Sequence, residues 1–462
     1  METIHDPVAL SRLQFALTTL FHILWPVLSI GLAFFLVTME ALWLRTGDED
    51  YRRHAKFWSR LFGLSFTVGV VSGIPLEFEF GTNWAPFSVV SGEFFGNILG
   101  FEAAMAFMLE AGFVGIMLFG WTRVSRSVHF FATLMVATGA SLSAFWIMVA
   151  NAWMQTPAGG HMAHGVFVVD NYRDAIFNPA AGWSASHMWV ACVETTLFVI
   201  GGISAGYLYR RRHTEFFLKS FKLALLFAII AAPLQIWLGD GSGRALFVHQ
   251  PAKAAAIEAH WTTNPKGHGA AWAILAWPNP QRQQNDWAIE IPNGLSLLAT
   301  HSLDGRVEGL TAFTPEDRTR LVALVFYSFR LMVAIGIYFV LLACWTVSVW
   351  LRGALAPQRI TSQRWLLRAW IASVPLGFIA VETGWITREV GRQPWTIYHL
   401  VRTADAVSNL PAAGVAGSLF VYALIYAALS TAFLIFARRL LRHGPDMALQ
   451  TLNSSDPGAR RS

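Results

Sequence analysis

Residues 94–120 read FFGNILGFEAAMAFMLEAGFVGIMLFG, long and apolar enough to cross a bilayer, yet interrupted by two carboxylates, Glu102 and Glu110. A helix needs about 20 largely apolar residues to span the hydrocarbon core. Outward from this run, eight more of the kind lie near 16–41, 61–80, 128–153, 187–209, 223–239, 322–350, 369–387 and 413–436. With 55% of its residues hydrophobic and 13% charged, the chain is too apolar for an ordinary soluble domain. The ten-residue alternation of a transmembrane β-barrel is missing. The first run follows no basic segment and precedes no small-residue cleavage site, so it reads as a retained span. The expectation is an all-α polytopic membrane protein of about nine transmembrane helices.

The net charge of +6 needs no nucleic-acid partner, because the basic residues alternate by loop. The segments after spans 1, 3, 5, 7 and 9 carry 21 of the 34 Lys and Arg. The positive-inside rule then sets the N-terminus on the periplasmic side and the C-terminus in the cytoplasm, which requires an odd number of spans. This divides the chain into helices 1–6 over 1–239, a periplasmic loop over 240–321, helices 7–9 over 322–440, and a disordered cytoplasmic tail over 441–462. The loop is far longer than ordinary connections, which marks it as functional. Its stretch AKAAAIEAHW (252–261) holds good helix formers and predicts a short helix on the outer surface. Cys192 and Cys344 fall in apolar runs and read as small core residues.

An ionisable side chain inside a span costs about 2.5–3.5 kcal/mol at mid-membrane and is by default a functional candidate. The candidates are His22, Glu102, Glu110, His187, Glu194, Arg330 and Glu382. Counting about 1.5 Å per residue from the outer ends of the runs, His22, Glu102, Met332 and Glu382 share a depth of roughly 10 Å; His187 lies near the mouth and Glu110 about 20 Å in. His, Met and carboxylate on different helices at one depth suit haem ligation. Each taken alone is as well explained as a packing residue. Glu102 and Glu110, eight apart, fall about 80° apart on an α-helix, with Ala106 between them, an arrangement that suits proton relay or pairing with neighbouring helices. His129 reads as interfacial at the inner surface, and Glu77 and Glu79 as closing span 2 at the outer one.

Several stretches are more specific: SRLQFALTTLFH (11–22), EFGTNW (79–84), FWIMVANAWMQ (145–155), AKAAAIEAHW (252–261), FRLMVA (329–334) and ETGWITREVGRQPW (382–395). Together they resemble subunit I of the cytochrome bd family of quinol oxidases along nearly the whole chain. The resemblance implies that His187 and Met332 ligate a low-spin haem b with Arg330 close by. Arg330, about 200° around the helix from Met332, would reach a propionate. His22 and Glu382 match the axial ligands of a high-spin haem b and a haem d, Glu102 a carboxylate beside the oxygen-reducing haem, and Glu110 one on the proton route. Lys253 and Glu258 match quinol-interacting positions of the outer loop; about 140° apart on a helix, they grip two sides of a head group, or one is structural.

Two departures qualify the resemblance. Phe378 stands where the family often has Trp, which loses an indole N–H. The passage from ATHSL (299–303) to FTPEDRTRL (313–321) has no long insertion, as in the short-loop, cyanide-insensitive branch, where the third haem can be b rather than d. Glu194 lies where the family leads one to expect an apolar residue, and is read as bonding a neighbouring helix. The implied protein sits in the bacterial cytoplasmic (inner) membrane, with a second polytopic subunit (subunit II), room for a small single-span subunit, and quinol and O2 as substrates. It would oxidise quinol outside and reduce O2 with protons from inside, generating proton motive force without pumping. A proton-coupled transporter would need an inverted repeat, which is not seen; a plain electron-carrying cytochrome b would lack an oxygen site.

Overall fold

The computed structural model describes residues 6–446, so most of the expected tail, from 447 on, lies outside the described residues. Among the described residues, nine helices are long and apolar enough to cross a membrane: α1 (Pro7–Thr46), α2 (Glu49–Gly81), α3 (Ala85–Phe119), α4 (Arg126–Gln155), α5 (Ala181–Tyr209), α6 (Thr214–His249), α7 (Val322–Leu351), α8 (Arg364–Arg392) and α9 (Ala412–His443). Each contains one of the apolar runs. Their ends follow local chemistry. Asp6, Asp48 and Ser125 accept backbone N–H groups at the starts of α1, α2 and α4, as N-caps do. Gly47 at φ +70° closes α1 in the left-handed conformation that glycine adopts without a Cβ penalty.

Polarity bends or loosens several helices where the candidate residues sit. Pro26 lies inside α1 and cannot donate to the carbonyl four residues earlier, that of His22. Two stretches of α3, Gly92–Gly96 and Glu102–Phe107, are π-helical, a rare geometry often found at functional sites. Each π turn takes in one extra residue, so the eight-residue spacing of Glu102 and Glu110 acts like about seven α-helical residues. The two acids then sit about 20° apart rather than the 80° of a regular helix.

The bundle is organised around α1 and α5. The apolar window of α5 is 83% buried and that of α9 is 6% buried, which makes α5 the centre and α9 the edge. α1 packs on α2, α4, α5 and α9; α5 packs on α1, α4, α6 and α8; α7 packs on α6 and α8. Close approach is bought by small residues, as in other membrane bundles. A Cβ on Gly31 would collide with the Thr196 side chain of α5, and one on Gly201 with the Trp370 ring of α8. Thr196 Oγ1 donates to the Val27 carbonyl at 3.2 Å, tying the same crossing.

Three two-stranded antiparallel hairpins decorate the connections: β1 (Gly160–Ala163) with β2 (Val166–Val169), β3 (Trp272–Asn279) with β4 (Gln284–Ile291), and β5 (Trp395–Ile397) with β6 (Val401–Arg402). The α6 helix continues past 239 to His249, and a short helix, Pro251–Ile257, follows at once. That helix is where AKAAAIEAHW predicts one, but it does not lie on the surface: Ala252 to Ile257 are all buried. Cys192 is a buried core residue as expected, whereas Cys344 is exposed on the outside of α7, because its face of that helix has no protein partner.

Substituting Gly31→Val should lower the thermal unfolding midpoint of the purified protein, at a cost of about 1–3 kcal/mol for overpacking. An unchanged midpoint would mean that α1 and α5 do not cross this closely.

Candidate functional site

The candidate ligands line the interior of the bundle, and three of them, His22, His187 and Met332, pack against a glycine of a neighbouring helix. On α5, His187 has a buried Nδ1 without a hydrogen-bond partner, while its Nε2 lies 3.3 Å from Gln235 Nε2. Gly239 of α6 faces its ring, where a Cβ would stand 3.3 Å from Cε1. On α7, Met332 faces Gly384 of α8, where a Cβ would stand 2.9 Å from Sδ. His22 of α1 has Nδ1 3.0 Å from Ser72 Oγ and Gly73 against its ring. Both carboxylate oxygens of Glu382 on α8 are buried without partners, as is the Trp385 indole N–H. Buried polar atoms are nearly always satisfied. An orphaned imidazole nitrogen, an orphaned carboxylate and neighbouring glycines are therefore what ligands of a flat iron macrocycle would leave in the protein alone. Phe378 packs with Ile23, Val27, Cys192, Val381 and Trp385 in the apolar cluster joining α1, α4, α5 and α8.

Glu102 and Glu110 both face α4. Ser143 Oγ donates to Glu102 Oε1 at 2.6 Å, and a Cβ on Gly139, one turn below Ser143, would stand 2.7 Å from Glu110 Cγ. Further along the same helix is a group that sequence reasoning passed over. His129 Nδ1 lies 2.7 Å from Glu40 Oε2, and Thr133 Oγ1 donates to Glu40 Oε1 at 2.8 Å. Glu40 is fully buried and His129 1% exposed, so His129 is not interfacial; its partner on α1 draws it inside. The Trp121 ring covers it, centroids 4.0 Å apart. Glu79 is also fully buried, accepting from Thr18 Oγ1 at 2.7 Å, while Glu77 is exposed. Of the two acids expected to close span 2 at the surface, only Glu77 does so.

The two candidates from the 240–321 loop, Lys253 and Glu258, are also buried. Lys253 Nζ donates to Gln155 Oε1 at 2.9 Å and to the Arg388 carbonyl at 2.7 Å. Burial, reinforced by the Arg388 charge, holds its pKa well below the ordinary lysine value. Glu258 accepts from Arg330 Nη2 at 2.6 Å and from Trp272 Nε1 at 3.1 Å. Arg330 also donates from Nε to the Ala273 carbonyl at 3.1 Å, which leaves Nη1 as its buried donor without a partner. Of the two expected quinol contacts, Glu258 is thus engaged in fixing Arg330, and Lys253 lines a small cavity with Gln155, Trp183, Ser242 and His249. Glu194 is buried with Oε1 unpartnered, so the bond to a neighbouring helix expected of it is not made through that atom.

With this geometry in place, comparison with known proteins decides the family. Residues 10–445 match the family model described as cytochrome bd terminal oxidase subunit I. This chain belongs to that family. It is 35% identical to the cytochrome bd-II ubiquinol oxidase subunit 1 of Escherichia coli (strain K12), over 95% of this chain and 97% of the relative. It is likewise 35% identical to the cytochrome bd ubiquinol oxidase subunit 1 of Bacillus subtilis (strain 168), over 95% and 94%. The solved bd oxidase from Geobacillus thermodenitrificans superposes with a TM-score of 0.87 at 31% identity, covering 96% of this chain and 99% of that one. The chain is a multi-pass subunit of a haem-containing terminal oxidase of the bacterial inner membrane, which works with a subunit II.

Cytochrome bd subunit I signatures that lie far apart in sequence meet at one carboxylate. Glu389 of α8 accepts from Asn151 Nδ2 of α4 at 2.9 Å and from Gln155 Nε2 at 3.4 Å, and pairs with Arg392 of its own helix. Arg388 donates to Asn151. Arg388 Nη2 and Arg392 Nε and Nη1 are left as buried donors without partners, a guanidinium pair suited to a carboxylate-bearing guest. None of these residues was singled out individually; their signal was the density of polar residues in FWIMVANAWMQ and ETGWITREVGRQPW.

The Arg330–Glu258 pair is buried, with side chains 10% and 5% exposed, so removing one partner strands a charge at a cost of about 3–5 kcal/mol. Glu258→Ala should therefore lower the unfolding midpoint of the complex. Adding Arg330→Met in the same protein should recover much of the loss; a double variant as unstable as the sum of the two singles would refute the coupling.

Proposed function

We propose that the chain is the haem-bearing, quinol-oxidising subunit of an electrogenic oxidase, with its N-terminus and the 240–321 loop outside. The observation carrying this reading is the pair of orphaned buried groups, His187 Nδ1 and the Glu382 carboxylate, set among glycines that face the rings or thioether of His187, His22 and Met332. His187 and Met332 would hold a low-spin haem b, and His22 and Glu382 the two remaining haems, a high-spin b and either a d or a third b. Bound there, the haems would pass single electrons between the two-electron quinol couple and O2. The free donors of Arg330, Arg388 and Arg392 would anchor propionates.

The protein's own groups account for binding and proton handling. Lys253, its pKa lowered by burial, offers an amine that can accept a hydrogen bond or proton from a quinol hydroxyl on the outer side. On the other side of the bilayer, α4 carries a polar file. Glu40, His129 and Thr133 lie at its inner end, Glu110 lies against Gly139, and Ser143 holds Glu102. From His129 to Ser143 the helix rises about 21 Å. We read this file as the route by which protons from the basic, inner side reach Glu102, with His129 and Glu40 at the inlet. Uptake inside and release outside separates charge without a pump.

Membranes reduced with dithionite and then exposed to CO test the reading. A low-spin b spectrum together with a CO-reactive component is expected, and no CO-reactive component would reduce the protein to an electron carrier. His22→Ala should abolish the CO-reactive component. Glu110→Gln should slow turnover by about 10²-fold, within the range of lost acid–base assistance, while leaving that spectrum in place. Lys253→Met should raise KM for quinol about tenfold, as fits the loss of a hydrogen bond of roughly 1.5 kcal/mol, with haem content unchanged. An unchanged KM would move the quinol site elsewhere.

A further inference from the structure

The β3–β4 hairpin of the outer loop has one face packed on the chain and one face exposed, and the exposed face is apolar. On one, Ala273 and Ala276 are buried against Ala256, Trp261 and Phe326, beneath the short helix that carries Lys253. On the other, Leu275 and Ile289 sit directly opposite one another in the ladder, 45% and 55% exposed. Trp287 and Ile291 flank Ile289 two residues to either side, so they project from the same face. They too are exposed, as is Trp277. An antiparallel pair with one face on the core ordinarily presents polar side chains on its other face. Two tryptophans and three aliphatics in contiguous exposure mark a surface that something other than water covers.

The position of the hairpin says what covers it. Its backbone is fastened to α7 below the helix end: Tyr327 Oη donates to the Ala276 carbonyl at 2.6 Å, and Arg330 Nε to the Ala273 carbonyl at 3.1 Å. Counted from Val322, these anchors lie about 8 and 12 Å into the helix. α7 has 30 residues, hence about 45 Å, the full thickness of a bilayer with its head groups. The anchors therefore stand where head groups give way to acyl chains. Tyr327 also belongs to the outward stripe of α7, with Leu324, Leu331, Leu341 and Trp345 exposed along it, so the bare hairpin face continues a lipid-facing surface. The turn is polar, with Asn279 Nδ2 bonded to Asp286 at 3.0 Å and Arg282 beside it, and Glu290, opposite Ala273 in the ladder, is the exposed charge of the strand stem. Tryptophan is enriched at this boundary, where its ring suits both media.

We propose that the outer face of the β3–β4 hairpin is seated in the lipid of the adjoining leaflet, with its polar turn at the head groups. The loop is then a membrane-inserted element and not a cap in water. Where the quinol reading of Lys253 holds, this seat sets a lipid-level surface against the helix bearing that residue, so a lipid-soluble substrate reaches it without crossing water.

The test uses the complete complex in lipid nanodiscs, with nitroxide labels on Trp287→Cys and Ile289→Cys in a Cys344→Ser background. Lys266→Cys serves as the water reference and Leu341→Cys as the lipid reference. Accessibility to dissolved O2 and to a water-soluble nickel chelate is read by power saturation. Labels at 287 and 289 should behave as at 341, with O2 access high and nickel access low. Behaviour like that at 266 would place the face in water, and shielding from both reagents would mean that a partner subunit or a second copy covers it; either overturns the proposal. The readout requires no quinol, so it stands or falls separately from the effect of Lys253→Met on KM.

Discussion

A single half-buried carboxylate, Glu389, ties together parts of the chain that the sequence keeps hundreds of residues apart. It accepts from Asn151 and Gln155 at the C-terminal end of α4, and it pairs with Arg392 on α8. Through Gln155 and the Arg388 carbonyl it also fixes Lys253 in the loop. Several basic groups crowd around one acid in a place where water is scarce, so none can leave without stranding another. The positions of α4, α8 and the Lys253 helix are therefore one structural fact, and the candidate ligand Glu382 and Met332's neighbour Gly384 inherit their placement from it.

The nine spans were legible in the sequence because membrane insertion is written locally: a run long and apolar enough crosses, and neither its neighbours nor its partners alter that. Met332 and Glu382 stand out in the sequence through motifs of the family, and His187 through its place inside an apolar span. What stayed hidden depended on a partner far away in the chain. His129 reads as a surface residue until Glu40, 89 positions earlier, is set against it. Arg330 looks free for a propionate until Glu258, 72 positions earlier, takes one of its amino groups. The short helix at 251–257 was legible as a helix, while its burial was not, because alanines fit a surface and a tight interface equally well.

The same contrast separates the two kinds of polar residue in this membrane. Glu40 and Glu389 have both carboxylate oxygens held by groups of the chain itself, which accounts for their polar atoms without a guest. Glu382 and His187 retain buried atoms that nothing in the chain satisfies.

The two π turns of α3 carry a consequence of another kind. Each is one residue more than a regular helix would hold, so α3 behaves as three short helices threaded on one axis, and the rotational setting of each is independent of the others. The segment below Phe107 aims Glu110 at Gly139, while the turn beginning at Glu102 aims that acid at Ser143. Deleting one residue within 102–107 would let the turn revert to regular α-helix with the acids still about 20° apart, whereas straightening the helix with every residue kept would swing everything beyond it by about 100° and take one acid off the α4 face. The alignment of these carboxylates thus belongs to the π turn between them and not to their spacing in the sequence.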